Sequence, residues 1–168
     1  MTFEIRELQS ADIPRIVSTD GGAAWHGGAE KWNQRLIDQN NGRRLVMLAV
    51  NGFSVFGYGS LVWSSDYIPF CAARIPEIND LVVAEGYRNQ GVATGLIRVF
   101  EERARVENYA KIGVGVGLYS NYGSAQRLYV HLGYKPDGKG ITYGNSPVPP
   151  GEKVQVDDDL ALWLVKPL

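Results

Sequence analysis

Cysteine and histidine are scarce in this chain of 168 residues, which contains one cysteine, Cys71, and two histidines, His26 and His131. A single cysteine excludes a disulfide within the chain. So few thiols and imidazoles also argue against a structural zinc site, and we predict no metal centre. Because no histidine is near Cys71 in the sequence, we expect a buried or incidental thiol there and not an activated nucleophile.

Excess charge and long apolar runs are missing as well. The formal net charge is −1 and no run of Lys and Arg occurs, so we expect neither nucleic acid nor a membrane as a partner. No apolar segment approaches the roughly 20 residues that span a bilayer. The N-terminus, MTFEIRELQS, lacks the apolar centre of a signal peptide. We therefore expect a cytoplasmic protein with a single domain over residues 1–168.

The stretch Glu77–Arg98, EINDLVVAEGYRNQGVATGLIR, combines the patterns of a strand, a glycine loop and a helix. The apolar run Leu81–Val83 suits a central strand, because β-branched residues pack well on a pleated sheet. Beyond the loop, apolar residues recur at spacings of three and four, which places them on one helix face: Ala93, Leu96, Ile97, Phe100 and Ala104. Charged residues fall largely on the other face: Arg98, Glu101, Glu102, Arg103 and Arg105.

The small-residue loop at the start of this helix has the properties of a phosphate site. The first N–H groups of a helix lack partners within it, and the helix dipole adds partial positive charge at that end. Gly91 and Ala93 leave these N–H groups accessible, and Arg88 adds a permanent positive charge. A helix start that merely packs small residues against a strand is the alternative interpretation.

A second motif, N-x-x-x-A-x-x-L-Y-x-x-x-G-Y, extends from Asn121 to Tyr134. We predict a helix there, with Asn121 as its N-cap and Gly133 as the residue that follows its C-terminus. The segment Gly113–Gly117 is superficially like a dinucleotide loop, but it lies within a predicted strand and lacks the strand-turn-helix order.

Together, the loop R-x-x-G-x-A after a strand ending in L-V-V and the second motif resemble the GNAT superfamily of N-acetyltransferases. The acetyl-CoA signature of that family is written Q/R-x-x-G-x-G/A. The resemblance covers nearly the whole chain and is specific in the two motif regions. It implies an α/β fold of the α+β mixed-sheet type, with a central, mostly antiparallel sheet, splayed fourth and fifth strands, and flanking helices. It also implies acetyl-CoA as co-substrate.

The patterns along the chain agree with that architecture and predict the order β-α-α-β-β-β-α-β-α-β-β. The second helix would run over residues 29–39, with Trp32, Leu36 and Ile37 facing inward. Asn51-Gly52 would turn a hairpin between two strands. Residues 64–76 would form an irregular connection.

The resemblance implies that residues at the matching positions of this chain make the family's contacts with the cofactor. The loop Arg88–Thr94 would bind the pyrophosphate, and the backbone of Leu81–Val83 would pair with pantetheine amides as an added strand. A backbone N–H there could also stabilise the oxyanion. Asn121 would contact the pantetheine arm. The predicted cofactor-binding residues are Leu81, Val82, Val83, Arg88, Asn89, Gln90, Gly91, Val92, Ala93, Thr94, Asn121 and Ser124.

Two further residues would handle protons. An amine with a pKa of roughly 10.4 is neutral in only about one molecule in a thousand at pH 7, so a base would help. Glu77 matches a glutamate that some family members use in this way. A solvated charge at a strand edge is the alternative for Glu77, and Asp80 or a water chain could serve as the base instead. Tyr129 would lie near the thioester sulfur as general acid, unless it is a core aromatic.

The implied reaction is transfer of the acetyl group from acetyl-CoA to a primary amine of a small molecule or peptide, by direct attack in a ternary complex. The alternative is a non-catalytic acyl-CoA-binding module that senses the cofactor or docks a partner. A nucleotide-binding protein lacks support because the chain has no Lys-bearing P-loop. A homodimer is left open. Aromatic candidates for an acceptor pocket that holds an amine by cation–π contact are Trp25, His26, Trp32, Trp63, Tyr67 and Phe70.

Overall fold

The computed structural model describes residues 2–18, 27–52 and 54–168. Its helices are α1 (Ile13–Ser18), α2 (Ala29–Asn40), α3 (Ile68–Ala72), α4 (Val92–Val106) and α5 (Gly123–His131). Its strands are β1 (Glu4–Glu7), β2 (Arg44–Asn51), β3 (Ser54–Val62), β4 (Glu77–Val83), β5 (Lys111–Gly117), β6 (Lys135–Tyr143), β7 (Ser146–Pro147) and β8 (Leu160–Pro167). Within these described ranges, no helix is both long and apolar enough to cross a membrane.

The strands form one mixed sheet in the order β1-β2-β3-β4-β5-β8-β6-β7. The pairs β1–β2, β2–β3, β5–β8, β6–β8 and β6–β7 are antiparallel. The parallel ladder between β4 and β5 joins Glu77 to Gly113 and Ile78 to Val114, at the beginning of β4. This mixed architecture with flanking helices confirms the predicted fold class.

The chain folds into two units, residues 1–62 with 79–100 and residues 63–78 with 101–168. The first contains β1–β3, α1, α2, most of β4 and the first part of α4. The second contains α3, the start of β4, the end of α4, and everything from β5 onwards. The single domain expected from the length of the chain stays a prediction.

The core of the first unit is built from α1, α2, β2 and β3. Trp32 of α2 is fully buried and meets the ring of Tyr58 edge-on, with ring centroids 4.9 Å apart. Ile37, which was predicted to face inward, is 50% exposed. That prediction is wrong because five residues of α-helix turn Ile37 about 140° away from Trp32. The buried side chains of this core are Leu8, Ile13, Ile16, Trp32, Val46, Leu48, Val50 and Tyr58.

An aromatic cluster forms the core of the second unit. Tyr67 lies flat on Trp163, with 4.2 Å between ring centroids, and Phe70 meets both rings edge-on. The cluster packs on β5, where a Cβ at Gly113 would be 2.1 Å from Phe70 and one at Gly115 would be 3.1 Å from Trp163. These glycines of β5 therefore make room for rings, and the segment is the strand that the sequence predicted.

The connection before β4 contains a helix that the sequence did not predict. The irregular structure expected for residues 64–76 is wrong in part, because Ile68–Ala72 form α3 with Pro69 in its first turn. Proline is favoured there, since its missing N–H would have no partner in the helix anyway. A helix this short is held by packing and not by propensity, and Phe70 supplies the packing.

Candidate active site

The predicted phosphate loop lies in the first unit, between β4 and α4. Asn89 and Gly91 have φ angles of 59° and 83°, so the backbone enters the left-handed region twice before α4 begins at Val92. The N–H of Gly95 donates to the carbonyl of Gly91 at 2.8 Å and begins the helical hydrogen-bond ladder. The N–H groups of residues 92–94 precede that ladder, so they are left for a ligand or for water.

The surroundings of this loop suit a diphosphate. A Cβ at Gly91 would meet no atom within 4 Å, so glycine is favoured there by its backbone conformation and not by crowding. Arg88 is exposed, and its Nε donates to the carbonyl of Val83 at 3.2 Å, which holds the guanidinium beside the loop. Left-handed backbone followed by a helix N-terminus is an anion-binding arrangement. These residues therefore fit the diphosphate of the predicted co-substrate.

A glycine of β3 allows the start of α4 to lie close to the sheet. A Cβ at Gly57 would be 2.8 Å from Cγ1 of Val92 and 3.4 Å from the carbonyl oxygen of Val82. Val92 is buried by this approach. The N–H of Ala84 donates to the carbonyl of Phe56 at 2.9 Å, just after β4 ends. Both ends of the loop are thus anchored to β3.

The residues predicted to pair with pantetheine, Leu81–Val83, are half-buried at the end of β4. The side chain of Leu81 packs against β3, because a Cβ at Gly59 would be 3.0 Å from its Cδ1. The side chain of Leu81 thus helps to hold the end of β4 against β3. The pairing of this backbone with pantetheine stays a prediction.

Asp80 interrupts the regular backbone of β4. Its φ angle is 54°, a left-handed conformation that residues with a Cβ rarely adopt. Its Oδ2 accepts a hydrogen bond from Nη2 of the buried Arg35 at 2.8 Å. Burial alone would raise the pKa of Asp80, but the hydrogen bond and charge of Arg35 outweigh it and hold the pKa below its usual range. Because a carboxylate of low pKa is a weak base, Asp80 is a poor candidate for the base.

Glu77 belongs to the second unit and begins β4. It is 7% exposed, so the alternative of a solvated charge at a strand edge is wrong. Ser65 Oγ donates a hydrogen bond to Glu77 Oε2 at 2.5 Å, and the same Oγ accepts the N–H of Tyr67 at 3.0 Å. The serine is buried as well. These contacts give the carboxylate a fixed direction.

Tyr129 lies in α5 of the second unit and is 5% exposed. Burial raises the pKa of its hydroxyl above the usual range, so the hydroxyl stays protonated near neutral pH. Its ring lies 5.8 Å from the ring of Tyr134, edge to face. A buried ring is what both a protected proton donor and a core aromatic would show, so the role of Tyr129 stays a prediction.

Asn121 and Ser124 are exposed near the start of α5. Asn121 is not the N-cap that the sequence predicted, because it lies inside a 3-10 turn and Tyr122 occupies the N-cap position. The 3-10 turn separates β5 from α5 and moves the helix start one residue along the chain. Gln126 Nε2 donates to the carbonyl of Gly117 at 2.8 Å and ties α5 to the end of β5.

The candidates for an acceptor pocket differ in their surroundings. Trp25 and His26 lie outside the described residues. Trp63 is half-buried and stacks on Tyr109, with ring centroids 5.6 Å apart. Burial at 1% exposure or less argues against direct contact with an acceptor for the other three candidates: Trp32, Tyr67 and Phe70.

Three polar residues around these sites were not singled out by the sequence. Ser65 gave no signal, because it lies in a stretch that looked irregular. Glu101 falls on the charged face of its helix, yet it is 5% exposed. Tyr134 closes the second motif, which was the only signal for it. In the described part of the chain, no group of three or more His, Cys, Asp or Glu side chains is arranged to hold a metal ion.

Comparison with known families gives the relationship of this chain. The model of the acetyltransferase (GNAT) family matches residues 4–134, which is well over half of the chain. The chain belongs to the GNAT acetyltransferase family. Membership confirms the resemblance seen in the two motifs, and with it acetyl-CoA as co-substrate. A search of curated proteins found no match.

Solved structures share the fold at low sequence identity. A ribosomal-protein-alanine N-acetyltransferase from Brucella melitensis is 20% identical, with a TM-score of 0.71 over 98% of this chain and 99% of that one. An N-acetyltransferase from Staphylococcus aureus Mu50 is 14% identical, with a TM-score of 0.72 over 99% of both chains. The yncA protein from Salmonella typhimurium, solved with its cofactor acetyl-CoA, is 16% identical, with a TM-score of 0.69 over 99% of this chain and 94% of that one.

Proposed function

We propose that the protein transfers the acetyl group of acetyl-CoA to a primary amine of a small molecule or peptide, by direct attack in a ternary complex. The observation that supports this most is the loop before α4, where left-handed residues and a glycine lead into a helix N-terminus. Such a loop gives a diphosphate several N–H donors at once. The cytoplasmic location and the homodimer considered from the sequence stay predictions.

Acetyl-CoA supplies an acetyl group activated as a thioester. Within the chain, we assign the diphosphate to the N–H groups of residues 92–94 and to Arg88. We assign the pantetheine arm to the backbone of Leu81–Val83, and we keep Asn121 and Ser124 as predicted cofactor contacts. Asn89, Gln90 and Gly91 shape the loop and do not need to touch the cofactor through their side chains.

The amine must lose a proton before or during its attack, and Glu77 is our candidate for the base. A buried carboxylate that one serine holds in a fixed direction accepts a proton, directly or through water, at a defined place. An acceptor that starts as an ammonium ion loses two protons in all. When the thioester C–S bond breaks, its electron pair stays on the sulfur, and the thiolate takes up one of these protons. The net result is an amide, a free thiol and a proton returned to solvent.

Tyr129 is our candidate for the acid at the sulfur. Because burial raises the pKa of its hydroxyl, complete transfer of its proton to a thiolate is uphill, since an ordinary thiol has a pKa of roughly 8.5. Tyr129 would therefore contribute chiefly as a hydrogen-bond donor that stabilises charge on the departing sulfur. That role needs a protonated hydroxyl in a dry site, and burial favours both.

The test combines purified protein, acetyl-CoA and a panel of small amines and peptides with free N-termini, while release of the thiol is followed. We expect turnover with at least one acceptor. Tyr129→Phe should lower kcat about a hundredfold and leave acetyl-CoA affinity within twofold. Tyr143→Phe, which removes a tyrosine hydroxyl from β6 outside the proposed site, is the control.

A non-catalytic acyl-CoA-binding module is the second candidate. The observation in its favour is that Glu77 and Tyr129 are both buried among structural partners, as core residues would be. Such a module would bind acetyl-CoA, remain silent with every acceptor, and show no effect of Tyr129→Phe on binding. Absence of both turnover and acetyl-CoA binding would refute the two candidates together.

A further inference from the structure

Tyr134, which follows α5, contacts both the backbone and the ring of Tyr129, the residue proposed as the acid. The helix is followed by Gly133, whose φ angle of 91° turns the chain back. The N–H of Tyr134 then donates to the carbonyl of Tyr129 at 3.0 Å, and the two rings pack edge to face at 5.8 Å. The backbone and the ring of Tyr129 therefore both depend on where Tyr134 lies.

Tyr134 is itself held by a buried carboxylate. Its hydroxyl donates to Glu101 Oε1 on α4 at 3.1 Å, and the side chain of Glu101 is 6% exposed. The same oxygen accepts from Lys166 Nζ on β8 at 2.8 Å. Lys166 Nζ also lies 5.5 Å from the ring centroid of Tyr134. One glutamate oxygen thus joins α4, β8 and the tyrosine that follows α5.

Packing alone does not call for this arrangement. A buried carboxylate is costly unless it is paired, and an apolar side chain of similar size would fill the same space without that cost. Each donor-acceptor contact fixes a direction, which apolar packing does not. In some proteins, buried ionic groups of this kind select a single arrangement of their neighbours.

We propose that Glu101 and Lys166 are positioning residues, which hold Tyr134 and through it the hydroxyl of Tyr129 in one orientation. The inference rests on the proposed role of Tyr129 for its effect on catalysis, but the orientation of the ring can be measured separately. In this proposal neither residue contacts acetyl-CoA or the acceptor. Their effect passes through the pair Tyr134–Tyr129.

The first measurement uses no substrate. Protein labelled with ¹³C in its tyrosine rings gives one set of signals for Tyr129, which is assigned by its loss in Tyr129→Phe. In Glu101→Leu we expect the Tyr129 signals to shift or split, because the ring gains a second orientation. Glu102→Gln is the matched control, since its side chain is 66% exposed on the same helix, and it should leave these signals unchanged.

The second measurement is a double-mutant cycle on kcat. Glu101→Leu should lower kcat about tenfold in the native background, with the KM for acetyl-CoA within twofold, and less than twofold in the Tyr129→Phe background. Glu101→Gln keeps an acceptor for the Tyr134 hydroxyl and should restore most of the rate. Lys166→Met should resemble Glu101→Leu, and Lys111→Met, at an exposed position of β5, should resemble the native protein.

Unchanged Tyr129 signals in Glu101→Leu would overturn the proposal, and so would an equal loss of kcat in both backgrounds. Should Glu101→Leu fail to fold, Lys166→Met decides by the same two criteria. If Tyr129→Phe itself turns over at the native rate, the acid role of Tyr129 is wrong. The ring signals alone then support or overturn the positioning by Glu101 and Lys166.

Discussion

Ser65 and Glu77 form a buried pair in which the serine hydroxyl donates to the carboxylate across 2.5 Å. The serine is in turn fixed by the N–H of Tyr67, which donates to its oxygen. The carboxylate is thus presented by a hydrogen bond from a residue twelve positions earlier. A carboxylate that serves as a base needs such a fixed orientation, because a proton moves efficiently only over a short and aligned path.

Ser65→Ala should therefore reduce the rate without abolishing it. We expect kcat to fall about fivefold to tenfold, against about a hundredfold or more for Glu77→Gln. Ser64→Ala is the matched control, because Ser64 is exposed and its hydroxyl lies 3.7 Å from the sulfur of Cys71. The comparison uses initial rates at saturating acetyl-CoA. If Ser65→Ala and Ser64→Ala have the same rate, the serine does not act through Glu77.

The contrast between this pair and the phosphate loop explains what the sequence could predict. The loop Arg88–Thr94 is local, since its glycine, its charge and the helix that follows are consecutive, and its place between β4 and α4 was predicted. The contact of Ser65 with Glu77 depends on how an unpredicted helix, α3, folds back toward the start of β4. Nothing in the sequence around Ser65 distinguishes it from Ser64.

The ion pair Arg35–Asp80 should make the stability of the first unit depend on pH. Arg35 keeps the pKa of Asp80 below its usual range although burial opposes this. A group whose pKa is lower in the folded state stabilises the fold above its unfolded pKa, and the contribution is lost as the pH falls through the folded pKa. The loss should thus begin near an unfolded pKa of about 3.9 and continue below it.

Asp80→Asn should lower the free energy of unfolding at pH 7 by about 3 kcal/mol, because it leaves a buried arginine without its partner charge. The deficit should shrink below pH 4, because the carboxyl of the unfolded native chain binds a proton there before the folded one does. Urea unfolding at pH 7 and pH 3 measures both values. Asp38→Asn is the control: Asp38 pairs with Arg43, which is 59% exposed, so the loss should stay below about 1 kcal/mol. If Asp80→Asn lowers the free energy of unfolding equally at pH 7 and pH 3, the ion pair with Arg35 is not the cause of the loss.

The glycines of β5 should be intolerant of a methyl group where a ring lies against them. In Gly113→Ala the new Cβ would be 2.1 Å from Phe70 Cε2, so we expect a loss of about 1–3 kcal/mol in the free energy of unfolding. Gly86→Ala is the control, because its Cβ would meet nothing within 4 Å. Phe70→Leu should recover part of the loss in the Gly113→Ala background. Strictly additive effects of the two substitutions would show that the contact is not the cause.

The alternation of glycine and valine in β5 was sufficient to predict a strand, but not what the glycines are for. Gly113 and Gly115 each accommodate a ring from a distant segment, Phe70 of α3 and Trp163 of β8 respectively. The prediction for Ile37 was wrong for a related reason. Its burial was inferred from its hydrophobicity, although its position around the helix turns it away from Trp32. Tertiary packing decides which distant residues touch and which way each side chain faces, and a local sequence pattern does not contain that information.

Gly91→Ala tests whether acetyl-CoA affinity depends on the backbone geometry of the loop before α4 or only on the stability of the first unit. Alanine has room at this position but opposes the φ angle of 83°, so the substitution should cost about 1 kcal/mol of unfolding free energy. A loop that relaxes out of the left-handed region moves the N–H groups of Val92 and Ala93, and we expect acetyl-CoA to bind about tenfold more weakly. Isothermal titration calorimetry gives the affinity, and urea unfolding gives the stability.

Gly42→Ala is the matched control for this substitution. Gly42 has a φ angle of 68°, and a Cβ there also meets no atom within 4 Å. The two variants should thus lose similar stability, because they impose the same kind of backbone strain. Only Gly91→Ala should lose affinity. If both bind acetyl-CoA equally well, the loop before α4 does not hold the diphosphate; if both bind it equally weakly, affinity follows the stability of the unit and not the geometry of the loop.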